Sequence, residues 1–132
     1  GHRIGTIEVE TALLTHPAVA EAGVTGRPDD VRGEVLTAFV VLKGGNEPSE
    51  ELKQELVQAV RRTLGPVAVM GEITFVPMLP KTRSGKIMRR VLKAVILDKD
   101  PGDITTIEEE GSVEEARAAW QELRQQRIGA AD

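Results

Sequence analysis

Hydrophobic positions along the chain recur at intervals of three to four residues in some segments, and alternate or run together in others. The first spacing is typical of amphipathic helices, and the second is typical of strands with one or both faces buried. The segments occur in the order helix 6–16, strand 19–26, strand 35–42, helix 50–64, strand 72–76, helix from 84 and helix from 112. This order predicts an α+β fold with a small three-stranded sheet covered by helices, and a C-terminal helical tail.

Polar residues and turn formers at the ends of these segments predict where each element begins or stops. Ser49 is placed to cap the second helix, and Ser112 opens a capping-box pattern. Thr6 and Ser84 are predicted to cap the first helix and the helix that follows the last strand. The turn-forming cluster from Arg27 to Asp30 is expected to end the first strand.

Length and composition favour one domain. The chain has 132 residues, of which 40% are hydrophobic and 29% charged, proportions typical of a globular domain rather than a disordered segment. We therefore predict one domain over residues 1–132, with residues 98–132 forming a tail whose last helix docks on it. The chain does not begin with methionine, and we expect it to come from a longer protein.

Charge and residue content disfavour several classes of function. The net charge is −4, whereas proteins that bind nucleic acid or anionic lipid present a positive surface. The few aromatic residues, Phe39, Phe75 and Trp120, disfavour stacking on nucleic-acid bases. Absence of cysteine excludes disulfides and thiol chemistry, and the two histidines lie in no metal-binding cluster. Because no apolar run reaches the ~20 residues that cross a bilayer, we expect a cytoplasmic protein without nucleic-acid or membrane partners.

A basic loop after Pro80 carries the chemistry that residue types can identify. Residues 81–86 read Lys-Thr-Arg-Ser-Gly-Lys and hold three cations. Gly85 removes side-chain bulk where a phosphate must approach, and Ser84 as a cap would leave helix amides free for an anion. Lys86 ends the loop, and its ammonium on a flexible stem can bridge two anionic reactants, such as a carboxylate and a nucleotide phosphate. Lys86 is therefore the candidate catalytic residue.

Residue types alone leave two other interpretations of this loop. Lys86 could be a solvated surface lysine in an ordinary basic loop. Alternatively, Arg89, Arg90 and Lys93 could follow the phosphates of a nucleic acid, although the acidic chain and its scarce aromatic residues disfavour this. The loop is not a Walker A site, because Gly85 and Lys86 lack the preceding glycine spacing and strand.

Several segments of the chain match the motifs of one enzyme family. Residues Pro80 to Arg90, PKTRSGKIMRR, are similar to the late signature of the acyl-adenylate-forming enzymes in their acetyl-CoA synthetase form. Residues Gly1 to Thr6 resemble the motif that follows the hinge in the same family, at about the expected distance. Segments 16–21, 65–66 and 102–107 extend the resemblance over nearly the whole chain. The chain is thus identified as a member of this family, resembling its small C-terminal domain.

The resemblance implies a two-step ligase reaction that uses ATP and CoA. A carboxylate attacks ATP to give an acyl-adenylate and pyrophosphate, and the CoA sulfur then displaces AMP. The small domain rotates between the steps, so that it serves two half-reactions with two faces. A large N-terminal adenylation domain, absent from this chain, would supply the acyl pocket, most ATP contacts and the Mg²⁺ site. The small domain alone would therefore be inactive.

The resemblance also implies roles for individual residues. The lysine that matches Lys86 contacts the carboxylate and the phosphate during adenylation. The segment from Gly1 to Gly5 would line the pantetheine channel, with Arg3 near the adenylate phosphate, and Arg61 would contact CoA. His2 stands where longer-chain ligases more often carry an aromatic residue, which favours acetate or propionate. On residue type alone, the alternative for Arg61 is a solvated arginine on the exposed side of a helix, and the alternative for Gly1 and Arg3 is a frayed terminus.

Other functions stay open beside the catalytic hypothesis. Family members are inactivated when a protein acetyltransferase acetylates the matching lysine and are restored by a deacylase, so both enzymes are candidate partners at Lys86. The chain could instead belong to another short- or medium-chain acyl-CoA ligase. A third hypothesis is a stand-alone module that binds nucleic acid or CoA-like polyphosphates.

Overall fold

The order of helices and strands follows the order that the hydrophobic pattern predicts. The computed structural model describes residues 5–29, 33–65, 70–105, 107–109 and 111–131. The elements in this part of the chain are α1 (Thr6–Leu14), β1 (Val19–Asp29), β2 (Gly33–Leu42), α2 (Glu50–Leu64), β3 (Met70–Phe75), α3 (Arg89–Ile96) and α4 (Gly111–Ala131). The predicted α+β fold, with three strands and a C-terminal helix, is confirmed.

The three strands form a mixed sheet in the order β1-β2-β3. Strands β1 and β2 pair antiparallel, from Val19 opposite Leu42 to Asp29 opposite Gly33. Strands β2 and β3 pair parallel, which requires a crossover connection, and α2 lies in that connection. Strand β2 is therefore the central strand, as predicted, and β1 and β3 are the edge strands.

Helices cover both faces of the sheet. Helices α1 and α2 pack on one face, where the alternate β2 residues Ala38 and Val40 point. Helices α3 and α4 pack on the other face around Phe39. Trp120 of α4 is only 5% exposed, and its ring centroid lies 6.4 Å from that of Phe39. Apolar side chains on both faces of β2 account for its continuous hydrophobic run.

Strand β1 runs past the cluster that was expected to end it. Arg27, Pro28 and Asp29 continue the antiparallel pairing with β2. Pro28 is tolerated because β1 is an edge strand, where a missing N–H need not break a ladder bond. Arg27 is drawn into the sheet by Glu72 of β3, whose carboxylate it binds through Nε (2.9 Å) and Nη2. The turn prediction for this cluster is therefore wrong through Asp29, and Asp30 lies outside the described residues.

A polar row crosses the face of the sheet that α3 and α4 cover. Glu72 is 6% exposed on β3, and besides Arg27 of β1 it accepts a hydrogen bond from Thr37 Oγ1 of β2 (2.8 Å). Each strand thus contributes one member to the row. Buried charges are stable only when paired and hydrogen-bonded, which this arrangement provides.

The predicted helix caps are confirmed at one of the three positions described here. The Ser49 hydroxyl accepts the Leu52 amide hydrogen at the start of α2 (3.0 Å). Helix α1 is instead capped by Gly5, so the prediction for Thr6 is wrong. Ser112 lies inside α4 and its hydroxyl donates to the Glu109 carbonyl (2.6 Å), so its predicted role as a cap is also wrong. Helix α1 thus starts one residue earlier, and α4 two residues earlier, than caps at these side chains would place them.

Gly23 of β1 allows α3 and the segment before it to approach the sheet closely. A Cβ added at Gly23 would lie 2.9 Å from Leu92 Cδ1 of α3 and 3.4 Å from Ile87 Cγ2. A contact of this kind forces neighbouring side chains off their preferred positions. The absence of a side chain at Gly23 therefore sets the spacing between β1 and the segment that carries residues 80–88.

We expect Gly23→Ala to destabilise the chain by about 1 kcal/mol, because the extra methyl group overpacks the contact with Leu92. Gly44→Ala is the matched control, since no atom lies within 4 Å of its added Cβ. Urea denaturation of both variants measures the difference. Equal free energies of unfolding for the two variants would contradict the packing role of Gly23.

Candidate functional site

The basic loop folds as a tight hairpin, here called the lysine hairpin (residues 80–88). The Thr82 amide donates to the Lys86 carbonyl (2.9 Å), and the Gly85 amide donates to the Thr82 carbonyl (2.8 Å). Gly85 has φ +91°, the left-handed conformation that closes three-residue hairpin turns and favours glycine. Helix α3 starts only at Arg89, so the prediction that Ser84 caps a helix with free amides is wrong.

Thr82 organises the turn through its side chain as well as its backbone. Its Oγ1 accepts the Lys86 amide hydrogen (3.2 Å) and is hydrogen-bonded to Ser84 Oγ (2.9 Å). Together with its backbone hydrogen bonds to Lys86 and Gly85, Thr82 thus makes hydrogen bonds to three residues of the turn. The backbone at Lys86 is therefore fixed on two sides.

Lys86 presents an exposed ammonium from this fixed backbone. Among the residues that the structure describes, its Nζ has neither a hydrogen bond nor an ion pair, and the same holds for the side chain of Arg83. Lys81 differs, because its Nζ lies 2.5 Å from Glu21 Oε2 of β1. One cation of the loop thus ties the hairpin to the sheet, while two others face outward and are available to an anion.

A second ion pair fixes the far end of the hairpin. Arg89 donates to both carboxylate oxygens of Glu10, through Nε (2.6 Å) and Nη2 (2.5 Å). Glu10 lies on α1 with a side chain only 7% exposed, and it also accepts the Val24 amide hydrogen of β1 (2.9 Å). These bonds with Glu10 raise the pKa of Arg89 above its usual value, although burial acts in the opposite direction. Arg89 is therefore used inside the fold rather than offered to a polyanion.

The Glu10–Arg89 pair joins the middle of α1 to the end of the lysine hairpin. Gly5 is the N-cap of α1, five residues before Glu10, and an added Cβ there would meet no atom within 4 Å. Gly5 is thus open to a ligand or another domain. The other predicted contacts at the chain start, Gly1, His2 and Arg3, lie outside the described residues.

Arg61 lies elsewhere on the molecule. It is exposed in the last turn of α2 and lines an open cleft of about 340 Å³ between α2 and β3, with Lys53, Val57 and Met70 among its neighbours. Strand β3 is the edge opposite β1. The structure therefore does not bring Arg61 together with Lys86, and the two predicted contacts belong to different surfaces.

Sequence reasoning missed the two carboxylates that anchor the hairpin, Glu10 and Glu21. A signal existed for Glu10, because it shares the inward stripe of α1 with Val9 and Leu13, both 0% exposed. A carboxylate on a buried stripe requires a cationic partner. Glu21 carries no comparable signal, since it is only partly buried.

Two searches of the described residues concern ions and membranes. No group of three or more His, Asp or Glu side chains in this part of the chain has an arrangement that could hold a metal ion. Of the helices described, none is both long and apolar enough to cross a bilayer.

Known sequences provide relatives that match nearly the whole chain. It is 60% identical over 124 residues to the acetyl-coenzyme A synthetase of Pyrobaculum aerophilum, and the aligned region covers 94% of this chain and 18% of that protein. It is 54% identical over 125 residues to the 3-hydroxypropionyl-coenzyme A synthetase of Metallosphaera sedula, and the aligned region covers 95% of this chain and 19% of that protein. The chain therefore spans about a fifth of the length of these relatives.

A solved structure and a family model agree with these relatives. The crystal structure of the Brucella canis acyl-CoA synthetase superposes with a TM-score of 0.66 at 51% identity, over 70% of this chain and 17% of that one. The family model of the AMP-binding enzyme C-terminal domain matches residues 8–86, more than half of the chain. This match includes α1 from Glu8, α2, all three strands and the lysine hairpin through Lys86. The chain belongs to the AMP-binding enzyme C-terminal domain family.

Proposed function

We propose that this chain is the C-terminal domain of an AMP-forming acetyl-CoA synthetase, and that Lys86 is its catalytic residue for acyl-adenylate formation. The observation that carries the proposal is the ammonium of Lys86, which has no partner among the described residues and stands on a hairpin fixed by Thr82 and by two ion pairs. The similar proteins include acetyl-coenzyme A synthetases, and this similarity supports the reaction class.

Lys86 has the chemistry that the first half-reaction needs. A carboxylate oxygen attacks the α-phosphorus of ATP, a new P–O bond forms, and the bond to pyrophosphate breaks. The two reactants are both anions and repel each other. An ammonium held between them orients the attack and stabilises the charge that develops on the phosphoryl oxygens. Arg83, also unpaired in the described part of the chain, adds positive potential at the same turn.

The second half-reaction would use a different surface of the domain. The CoA sulfur attacks the acyl carbon, AMP leaves, and the thiol gives up its proton. We assign CoA contacts to Arg61, in its cleft at the β3 edge, and to the chain start from Gly1 to Gly5, and we assign Arg3 to the adenylate phosphate. Because Arg61 and Lys86 lie at opposite edges of the sheet, one fixed orientation is a poor fit to both roles. A rotation of the domain between the half-reactions follows from this separation.

The remaining parts of the site belong to the N-terminal domain in this proposal. That domain would hold the adenine, the acyl group and Mg²⁺, leaving the exposed Lys86 and Gly85 to complete the phosphate site. At Gly85 no atom lies within 4 Å of an added Cβ, so the backbone there is open to an approaching phosphate. The domain alone would lack a closed active site and would be inactive.

The acyl substrate is proposed as acetate, with 3-hydroxypropionate as the second candidate. The chain is 60% identical to an acetyl-coenzyme A synthetase and 54% identical to a 3-hydroxypropionyl-coenzyme A synthetase, so similarity in this domain barely separates the two. If the acyl pocket lies on the N-terminal domain, the small domain serves either substrate. The choice of acid is then a property of the other domain.

A domain exchange tests the proposed function. We expect this chain to support ATP- and CoA-dependent formation of acetyl-CoA when it replaces the segment it matches in the Pyrobaculum aerophilum synthetase, because it supplies Lys86 and the CoA contacts. The same exchange into the Metallosphaera sedula enzyme should give a ligase that prefers 3-hydroxypropionate. Acyl-CoA formation from each acid is measured by chromatography.

The matched control is each of the two synthetases with the corresponding segment deleted. These deletion variants should retain less than about 1% of the acyl-CoA-forming activity of the intact enzymes, because a preorganised catalytic group is lost. Folded chimeras that form no acyl-CoA would overturn the proposed function. A chimera whose preference follows this chain rather than the N-terminal portion would overturn the placement of the acyl pocket.

A further inference from the structure

The segment between α3 and α4 lies against the lysine hairpin. This segment, here called the connector, comprises residues 98–109, with 106 outside the described residues. Ile107 forms an antiparallel bridge with Thr82, and the Glu108 amide donates to the Lys81 carbonyl (2.9 Å). On its other side, Lys81 bridges Ile87 within the hairpin. The first arm of the hairpin is therefore held between its own second arm and the connector.

Arg90 attaches the connector to α3. Its Nη1 donates to the Pro101 carbonyl and its Nη2 to the Asp103 carbonyl, each at 2.5 Å. Gly102 lies between these two acceptors with φ +78°, and an added Cβ there would lie 3.9 Å from Arg90 Nη1. A planar guanidinium that binds two carbonyls fixes their relative orientation, which a lysine ammonium cannot do.

The connector is ordered by its own side chains as well. Asp100 Oδ1 accepts the Gly102 amide hydrogen (2.8 Å), and Asp103 Oδ1 accepts that of Thr105 (2.9 Å). The bond from the Thr105 amide lowers the pKa of Asp103 below its usual value. Ile107 is 3% exposed in the apolar cluster beneath α3 and α4. The connector is thus an anchored loop, although its acidic side chains are exposed to solvent.

We propose that the connector positions the lysine hairpin for adenylation, and that Arg90 is the positioning residue that holds the connector in place. A two-stranded hairpin is marginally stable in water, and a third paired arm restricts its movement. The family model ends at residue 86, so the connector lies beyond the matched part of the chain and adds support that this part does not contain. The role in catalysis rests on the proposed function of Lys86, whereas the mechanical coupling does not.

The mechanical coupling is tested on this chain by amide hydrogen exchange. Arg90→Gln should raise the exchange rate of the Glu108 amide about tenfold, because charge-assisted bonds to two carbonyls are lost. If the connector supports the hairpin, the Thr82 amide should exchange faster as well, by at least severalfold. Lys93→Gln is the matched control, since it removes an exposed cation from the same helix and leaves the connector contacts intact. Amides in α2 report whether the whole domain is destabilised.

Two results would overturn the coupling. If Glu108 exchanges faster and Thr82 does not, the connector does not restrain the hairpin. If neither amide changes, Arg90 does not hold the connector. Should Arg90→Gln fail to fold, Gly102→Ala tests the same connector without removing a charge, since alanine is strained at φ +78° between the two carbonyls that Arg90 binds.

The catalytic consequence is tested in the Pyrobaculum aerophilum chimera. Arg90→Gln should lower kcat for acetate-dependent pyrophosphate exchange about tenfold with little change in KM for ATP, because a displaced lysine loses transition-state contacts rather than substrate binding. Conversion of pre-formed acetyl-adenylate to acetyl-CoA should not change, and Arg90→Lys should recover only part of kcat. Equal losses in both half-reactions would indicate a general structural defect and overturn the positioning role. An unsubstituted chimera that lacks activity would refute the proposed function, while the exchange rates would still decide the coupling.

Discussion

Replacing Lys86 with alanine in the Pyrobaculum aerophilum chimera is expected to slow acetate-dependent pyrophosphate exchange by about 10²- to 10³-fold. The ammonium is exposed and, within the described residues, unpaired, so the fold should not depend on it and the loss should fall on the chemical step. Isotope exchange between ATP and pyrophosphate measures adenylation apart from thioester formation. Conversion of pre-formed acetyl-adenylate to acetyl-CoA should keep its rate.

Matched variants separate the charge of Lys86 from its bulk. Lys86→Gln removes the charge and keeps most of the length, so it should resemble Lys86→Ala, and acetylation of Lys86 should have the same effect. Lys43→Ala removes another exposed lysine, in the turn after β2, and should leave the exchange rate unchanged. If Lys86→Ala exchanges pyrophosphate as fast as Lys43→Ala does, Lys86 is a solvated surface lysine and the catalytic assignment is wrong.

The second large effect is expected from Arg89→Met, which should lower the free energy of unfolding by about 3 kcal/mol. The substitution leaves the Glu10 carboxylate, whose side chain is 7% exposed, without its cationic partner. Methionine keeps the apolar stem of the side chain, so the loss is mainly electrostatic. For a chain of this size the melting temperature should fall by roughly 10 °C, which circular dichroism can follow.

A double variant identifies the cause of that loss. Adding Glu10→Gln to Arg89→Met removes the unpaired charge while keeping an oxygen that can accept the Val24 amide hydrogen, so stability should partly return. Lys93→Met on the same helix should have little effect, because Lys93 is exposed. A double variant no more stable than Arg89→Met would show that packing, and not the buried carboxylate, causes the loss.

Most of the fold could be predicted because buried positions recur at regular intervals in helices and strands, and hydrophobic residues occupy them. The continuous apolar run of β2 and the stripe of α2 gave the correct element types, and Ser49 gave the correct start of α2. The start of α3 could not be found this way. Ile87 and Met88 continue the helical spacing backwards from α3, yet they belong to the hairpin. The hairpin closes through the positive φ of Gly85 and through backbone hydrogen bonds, and neither produces a periodic pattern of hydrophobic residues in the sequence.

The candidate site was predictable where one short segment carries it and unpredictable where distant residues meet. Lys86 and Gly85 stand together in a motif, and the resemblance to adenylate-forming enzymes pointed to the family that the family model confirms. The bond between Arg89 and Glu10 joins residues 79 positions apart, and that between Lys81 and Glu21 joins residues 60 apart. Charged residues are ordinarily solvated, so apart from the place of Glu10 on the inward stripe of α1, nothing local distinguishes these carboxylates from those on the surface.

The polar row of Arg27, Thr37 and Glu72 has a consequence for how the strands align during folding. Sliding one strand by two residues returns every apolar side chain to its proper face, so hydrophobic burial alone barely distinguishes such a misaligned sheet from the native one. The same slide moves Glu72 away from Thr37 and Arg27, which lie on the other two strands. A buried carboxylate left in that position is strongly unfavourable. One buried charged residue on β3 therefore selects a single alignment for the three strands.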